Sequence, residues 1–231
     1  MTLSAPSGNY LIRIVAAALV APLLSACSAW PNKLNASVSN GNFQDVRITI
    51  EAQPWRVNQY DDYDGRQPLH AAARSGQVRI VEYLIAQGAN INAEAKDGTT
   101  AFQQAAIWYQ LDTLKALVRL GAEPKLFIKN TPLLAFVVRR PASEFGCKRT
   151  TDVTRFLIDS GANVNSIVST DPVSTVLTEA INGPCIDTIT LLLKEGADPN
   201  KGASLQRIKA QTPSARRVEI EKLLLSFGAK E

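Results

Sequence analysis

The sequence predicts an all-α solenoid of about six stacked helix-turn-helix units joined by short hairpin loops. A Gly-Ala-polar marker recurs as Gly88-Ala89-Asn90, Gly121-Ala122-Glu123, Gly161-Ala162-Asn163, Gly196-Ala197-Asp198 and Gly228-Ala229-Lys230, its successive glycines 33, 40, 35 and 32 residues apart. Before each marker runs an apolar stretch at helical spacing, such as Val78 to Ile85 or Val218 to Leu225. Self-similarity at such a period marks units that cannot bury an apolar face alone and must stack.

Composition agrees with a folded array. Of 231 residues, 45% are hydrophobic and 20% charged, an ordinary globular balance. The net charge is +4, and Arg139, Arg140, Lys148, Arg149, Arg216 and Arg217 alternate along the chain with Asp112, Glu144, Asp152 and Glu219. Nucleic-acid binders concentrate their cations on one face, so this pattern argues against nucleic acid as a partner.

Residues 14–24 form an apolar run behind Arg13, too short to cross a bilayer and suited to the core of a signal peptide. The run ends in Leu24-Ser25-Ala26-Cys27, which resembles the bacterial lipobox. That resemblance implies cleavage before Cys27 and acylation of its sulfur, giving a leader over 1–26, a lipidated tether over 27–32 and a repeat domain over 33–231. Acyl chains anchor because each buried methylene contributes about 0.8 kcal/mol. Ser28 stands where aspartate would favour the inner membrane in lipoproteins, which points to the outer membrane, facing the periplasm. The other readings are a signal peptide with a chance cysteine and an N-terminal helix of a cytosolic protein.

Within the repeat domain the fullest unit reads Asp64-Gly65-Arg66-Gln67-Pro68-Leu69-His70-Ala71-Ala72-Ala73, then Gly76, then Val78 to Ile85, then Gly88-Ala89-Asn90-Ile91-Asn92. It resembles the ankyrin-repeat consensus nearly position for position. Leu69, Ala72 and Ala73 place a narrow apolar stripe on a short first helix, small enough for neighbouring helices to approach. Ile80, Val81, Leu84 and Ile85 make the wider stripe of the second helix, and Gly88 suits its left-handed cap. Units are expected over 33–61, 62–94, 95–127, 128–167, 168–200 and 201–231, with Pro54 in the first unit's marker slot and a polar, degenerate first helix in the last.

Setting Cys27 aside leaves Cys147 and Cys185, which the repeat frame puts on one edge of adjacent units, between the paired helices. An oxidising compartment favours a disulfide between them, with slack from the inserted segment 141–149; two free, partly buried thiols are the alternative. His70 is the single histidine, and in ankyrin repeats that histidine makes structural hydrogen bonds. No catalytic set, metal cluster, phosphate-binding loop or cofactor motif is legible, which points away from an enzyme and from a small-molecule substrate.

The resemblance instead implies a protein partner held by hairpin tips and first helices. Its variable positions here are Tyr63, Asp64, Arg66, Arg74 and Ser75, then Lys96, Asp97, Thr99, Ile107, Trp108 and Leu120, then Val138 and Arg139. Ile107 and Trp108, with Tyr109 in place of a turn glycine and Arg74, Arg139 and Arg140 nearby, have the composition of a binding hot spot. Alternatively, Trp108 and Tyr109 fold onto the insertion and pack against Phe145. Residues 54–63 make a second aromatic and acidic patch. A lipobox joined to a short ankyrin array resembles the immunity lipoproteins that neutralise lipase-type or phospholipase-type type VI secretion toxins. The competing expectation is a periplasmic scaffold or helper in oxidative-stress defence or envelope maintenance.

Overall fold

The computed structural model describes residues 33–61, 65–139, 146–168, 174–209 and 214–230; the leader, Cys27, Tyr63, Arg140 and Phe145 lie outside them. Twelve α-helices alternate between two rows among these residues. The inner row comprises α1 (Lys33–Ser39), α3 (Pro68–Arg74), α5 (Ala101–Ile107), α7 (Leu133–Arg139), α9 (Val176–Asn182) and α11 (Ser204–Lys209). The outer row comprises α2 (Phe43–Ala52), α4 (Val78–Ala86), α6 (Leu111–Arg119), α8 (Cys147–Asp159), α10 (Ile186–Lys194) and α12 (Ala215–Ser226). Each inner helix packs on the next, and the outer helices from α2 to α10 do the same.

The inner helices are short and start on side chains that satisfy their first amides. Thr100 and Gln103 cap each other at α5, and Thr175 and Thr178 at α9. Their stacking faces are small or slender: Ala72, Ala73, Ala105, Ala106 and Val137 are fully buried. Small side chains let helix axes come close, and the resulting contacts cannot form within one unit.

The Gly-Ala marker ends each outer helix by a shared device. At Gly88 φ is +90°, a conformation that costs a side-chain-bearing residue about 1 kcal/mol or more. The turn directs the Ala89 amide back to the Leu84 carbonyl at 2.9 Å; Ala122, Ala162, Ala197 and Ala229 make the same bond. In the first unit Pro54 instead opens a 3₁₀ turn, Pro54–Asn58.

A carboxamide ladder ties the outer ends of the units together. The Asn58 side chain donates to the Gly88 carbonyl and accepts from the Asn90 amide, both at 2.9 Å. Asn165 repeats the pair on Gly196 and Asp198, and Asn200 on Gly228 and Lys230. Asn92 accepts from Glu123. Lys125 occupies the corresponding place in the third unit, and its ammonium pairs with Glu94 instead.

Two features depart from expectation. Cys147 is the first residue of α8, not part of a connection between helices, and it is bonded to Cys185 just before α10, with Cα atoms 5.2 Å apart. The last inner helix is not polar throughout: Leu205 and Ile208 of α11 are buried. Gly183 brings the fourth and fifth units close, since a Cβ there would sit 2.7 Å from the Val138 carbonyl oxygen.

The disulfide closes a loop with a sequence separation of 38 residues, for which the chain-entropy model gives about 3 to 4 kcal/mol. Cys147→Ser is therefore expected to lower the urea midpoint by an amount matching that loss, and reductant should move the wild-type midpoint to the same place. Equal midpoints with and without reductant would count against a stabilising bridge.

Candidate protein-binding surface

The hairpins that precede the inner helices set the side chains on the inner face. In the second unit His70 anchors the hairpin: its Nδ1 accepts from the Gln67 amide at 3.2 Å, and its Nε2–H is shared by the carbonyls of Ala93 and Thr99 at 3.0 and 3.2 Å. Burial lowers its pKa, and the two carbonyl bonds oppose that shift without cancelling it. The ring is therefore held neutral, consistent with Nδ1 accepting. Gln103 performs the same task one unit later, accepting from the Thr100 amide at 2.8 Å and donating to the Lys125 and Phe127 carbonyls. His70 is a structural side chain.

Arg66 is committed to Asp97 of the next hairpin at 3.1 Å, with only 20% of its side chain exposed. Burial works against the Asp97 carboxylate. The Thr99 hydrogen bonds and Arg66 outweigh that burial and hold the carboxyl below its usual range. This pair joins the second and third units rather than offering a solvated fingertip cation.

Along the inner helices, Arg74, Ile107 and Arg139 share one slot, each the last residue of its seven-residue helix. The Arg74 guanidinium lies 4.2 Å from the ring centre of Trp108, crossing from one unit to the next. Arg139 is exposed, 5.9 Å from the Phe136 ring centre. Ile107 and Trp108 are half-buried. This stretch retains the aromatic and arginine character expected of it, with the rings ordered by stacking.

Two candidates do not belong to the surface. Tyr109 is buried: φ is +55°, the position corresponds to Gly76 with φ of +74°, and its hydroxyl donates to the Val137 carbonyl at 2.7 Å. Val137 lies in the last turn of its helix, where carbonyls lack intrahelical partners, and the tyrosine hydroxyl gives this one a donor. Val138 is buried as well. It is the sixth residue of α7, as Ala73 is of α3 and Ala106 of α5, and all three are core positions. Aligning Pro132 with Pro68 shifts the frame by one, because Pro132 lies in the strand Thr131–Pro132, paired with Phe127–Ile128, and the helix starts at Leu133.

Other surface residues follow from the frame: Tyr60 belongs to the 54–63 patch, while Phe127 and Ile167 are not among the expected sites. Tyr60, Phe127 and Ile167 each stand six positions after the marker slot, and all are about half exposed, with Glu94 at the same position of the intervening hairpin. Phe136, which carries Arg139, has no counterpart among the expected sites. Among the described residues, no cluster of three or more His, Cys, Asp or Glu could hold a metal ion, and no helix is long and apolar enough to cross a membrane.

Comparison with known proteins gives a consistent fold. Residues 34–128 match the family described as ankyrin repeats in three copies. The ankyrin repeat domain of human ASB11 superposes with a TM-score of 0.70 at 21% identity, covering 86% of this chain and 84% of that one. The ankyrin repeat protein nuc-2 of Neurospora crassa is 28% identical over 204 residues, 84% of this chain but 18% of its own length. The ankyrin repeat domain-containing protein SAT10 of Stachybotrys chartarum is 30% identical over 57% of this chain and 6% of its own. The chain thus spans less than a fifth of either curated relative.

Two outcomes test the geometry. Tyr109→Phe keeps the ring and strands the Val137 carbonyl, so a loss of about 1 to 2 kcal/mol is expected in chemical denaturation; an unchanged midpoint would mean the hydroxyl is not needed. For His70 the folded pKa is depressed, so nothing is lost above about 6.5, the ordinary histidine value. Below it the unfolded chain takes up the proton first and stability falls. His70→Gln should flatten that acid limb while preserving the fold, as Gln103 shows a carboxamide in the same role. An acid limb identical in both proteins would assign it to other groups.

Proposed function

Because the chain is an ankyrin-repeat solenoid, we propose that it is a membrane-tethered binding module whose inner face holds a protein partner, and that this partner is a secreted antibacterial effector of the lipase or phospholipase type. Arrays of this fold are typically binding scaffolds rather than enzymes. The single histidine is already occupied by Gln67, Ala93 and Thr99.

The observation that carries the binding reading is the arginine and aromatic set at the ends of α3, α5 and α7. Arg74 over Trp108 and Arg139 by Phe136 combine the two residue types that dominate interface hot spots. The contact with the Trp108 ring orders the Arg74 guanidinium before a partner arrives, which reduces the ordering cost of association. The tether and the immunity role rest on Leu24-Ser25-Ala26-Cys27 and its likeness to lipoprotein leaders. An inhibitor anchored at a membrane would meet a lipid-cleaving toxin beside its substrate.

Co-purification with a lipase-type effector encoded beside the gene tests this reading. The expected result is a complex that Trp108→Ala weakens by at least tenfold without changing the melting temperature, together with loss of sibling resistance on gene deletion. Cys27→Ser should release the protein from the membrane fraction. Absence of a complex together with intact resistance would remove the immunity role. A complex indifferent to Trp108→Ala would move the contact off the inner face.

A further inference from the structure

Charge that alternates along the sequence is sorted by the fold. The inner helices carry Lys33, Arg74, Arg139, Arg207 and Lys209 against Glu179 alone. The outer helices carry eleven cations and nine carboxylates, close to balance. The one inner carboxylate accepts the Ser174 hydroxyl at 2.9 Å. Cations near the last turn of a helix also favour the helix itself, but that benefit applies equally to the outer row and does not produce the asymmetry.

The second observation is a cavity of about 190 Å³ between α7 and α9, lined by Ala135, Phe136, Val168, Arg139 and Glu179. Ala135, Phe136 and Val168 supply its apolar lining, and Arg139, Glu179 and Thr131 its polar groups. One leucine-sized or phenylalanine-sized side chain is the natural occupant of such a recess, with polar groups around it fixing orientation. Ile107 lies in the slot between Arg74 and Arg139, so three consecutive units present cation, aliphatic and cation in order.

We infer that the inner face takes an acidic segment of the partner protein, with carboxylates opposite Arg74 and Arg139 and a bulky apolar residue that enters the cavity beside Phe136. This deepens the proposed function and rests on its assignment of the inner face. Neighbouring helices pack about 8 to 10 Å apart, so two unit steps separate the arginines by roughly 16 to 20 Å. An extended segment of about six residues spans that distance. Charge complementarity of this kind governs specificity and association rate more than total affinity, and it weakens with salt.

The test uses the full chain and a random dodecapeptide library displayed on phage, with the Arg74→Glu, Arg139→Glu double variant as counter-selection. The expected peptides carry at least two acidic residues flanking a bulky apolar one. Synthesised with a fluorophore, they should lose at least tenfold in affinity between 50 and 200 mM salt, and as much again on the double variant. If the double variant fails to fold, Arg74→Lys with Arg139→Lys keeps the charge and should retain acidic selection. Enriched peptides without acidic excess, acidic peptides that bind the double variant equally well, or no enrichment would each overturn the inference. The binding reading fails separately: a partner complex lost on Trp108→Ala but indifferent to salt and to both arginines sinks only the acidic segment, whereas a complex indifferent to Trp108→Ala removes the inner face itself.

Discussion

Every feature of this molecule depends on one packing constraint: a single pair of short helices has two apolar faces and can cover neither by itself. Ala72, Ala73, Ala105 and Ala106 answer it on the inner row by letting the next helix approach, and Leu84, Leu117, Leu157 and Leu192 answer it on the outer row. Stacking then creates a second requirement. The carbonyls at the ends of short helices fall between units, and each must find a donor from a neighbour. Gln110 reaches back to the Arg74 carbonyl, Tyr109 reaches forward to Val137, and Arg216 donates to Ile181 and Gly183. Polar and apolar contacts therefore enforce the same register.

What was legible in the sequence is what recurs with a local cause. The Gly-Ala marker is readable because its glycine must turn left-handed and its alanine must close a bond five residues back, demands that return in every unit after the first. The asparagine four places after Gly88, Gly161 and Gly196 was equally visible, and its role as a rung between units emerges only once neighbours are in place. Val138 and Tyr109 were misplaced for complementary reasons. Pro132 imitates the start of a helix while lying in a strand, which moves the fourth unit's frame by one. Tyr109 fills a turn position where glycine is usual, and the Val137 carbonyl that its hydroxyl serves belongs to the last turn of a helix in another unit, which the local sequence does not reveal.

The surface was legible in composition and less so in order. Arg74, Trp108 and Arg139 were identifiable as variable positions, but stacking partners such as Phe136 depend on side-chain directions that periodicity does not carry. The separation of charge is also a folded-state property. Read linearly, cations and carboxylates alternate; folded, the inner helices hold one carboxylate against five cations while the outer helices are close to balance.

The bond between Cys147 and Cys185 gives an otherwise one-dimensional assembly a fixed point in its length. Units that touch only their neighbours can peel away from an end one at a time, and each departure exposes the face of the next to proteases. A covalent staple between the fourth and fifth units interrupts that progression from both directions, since neither unit can leave without the other. Digestion that begins at either end should pause at the stapled pair, making those two units the array's most durable segment.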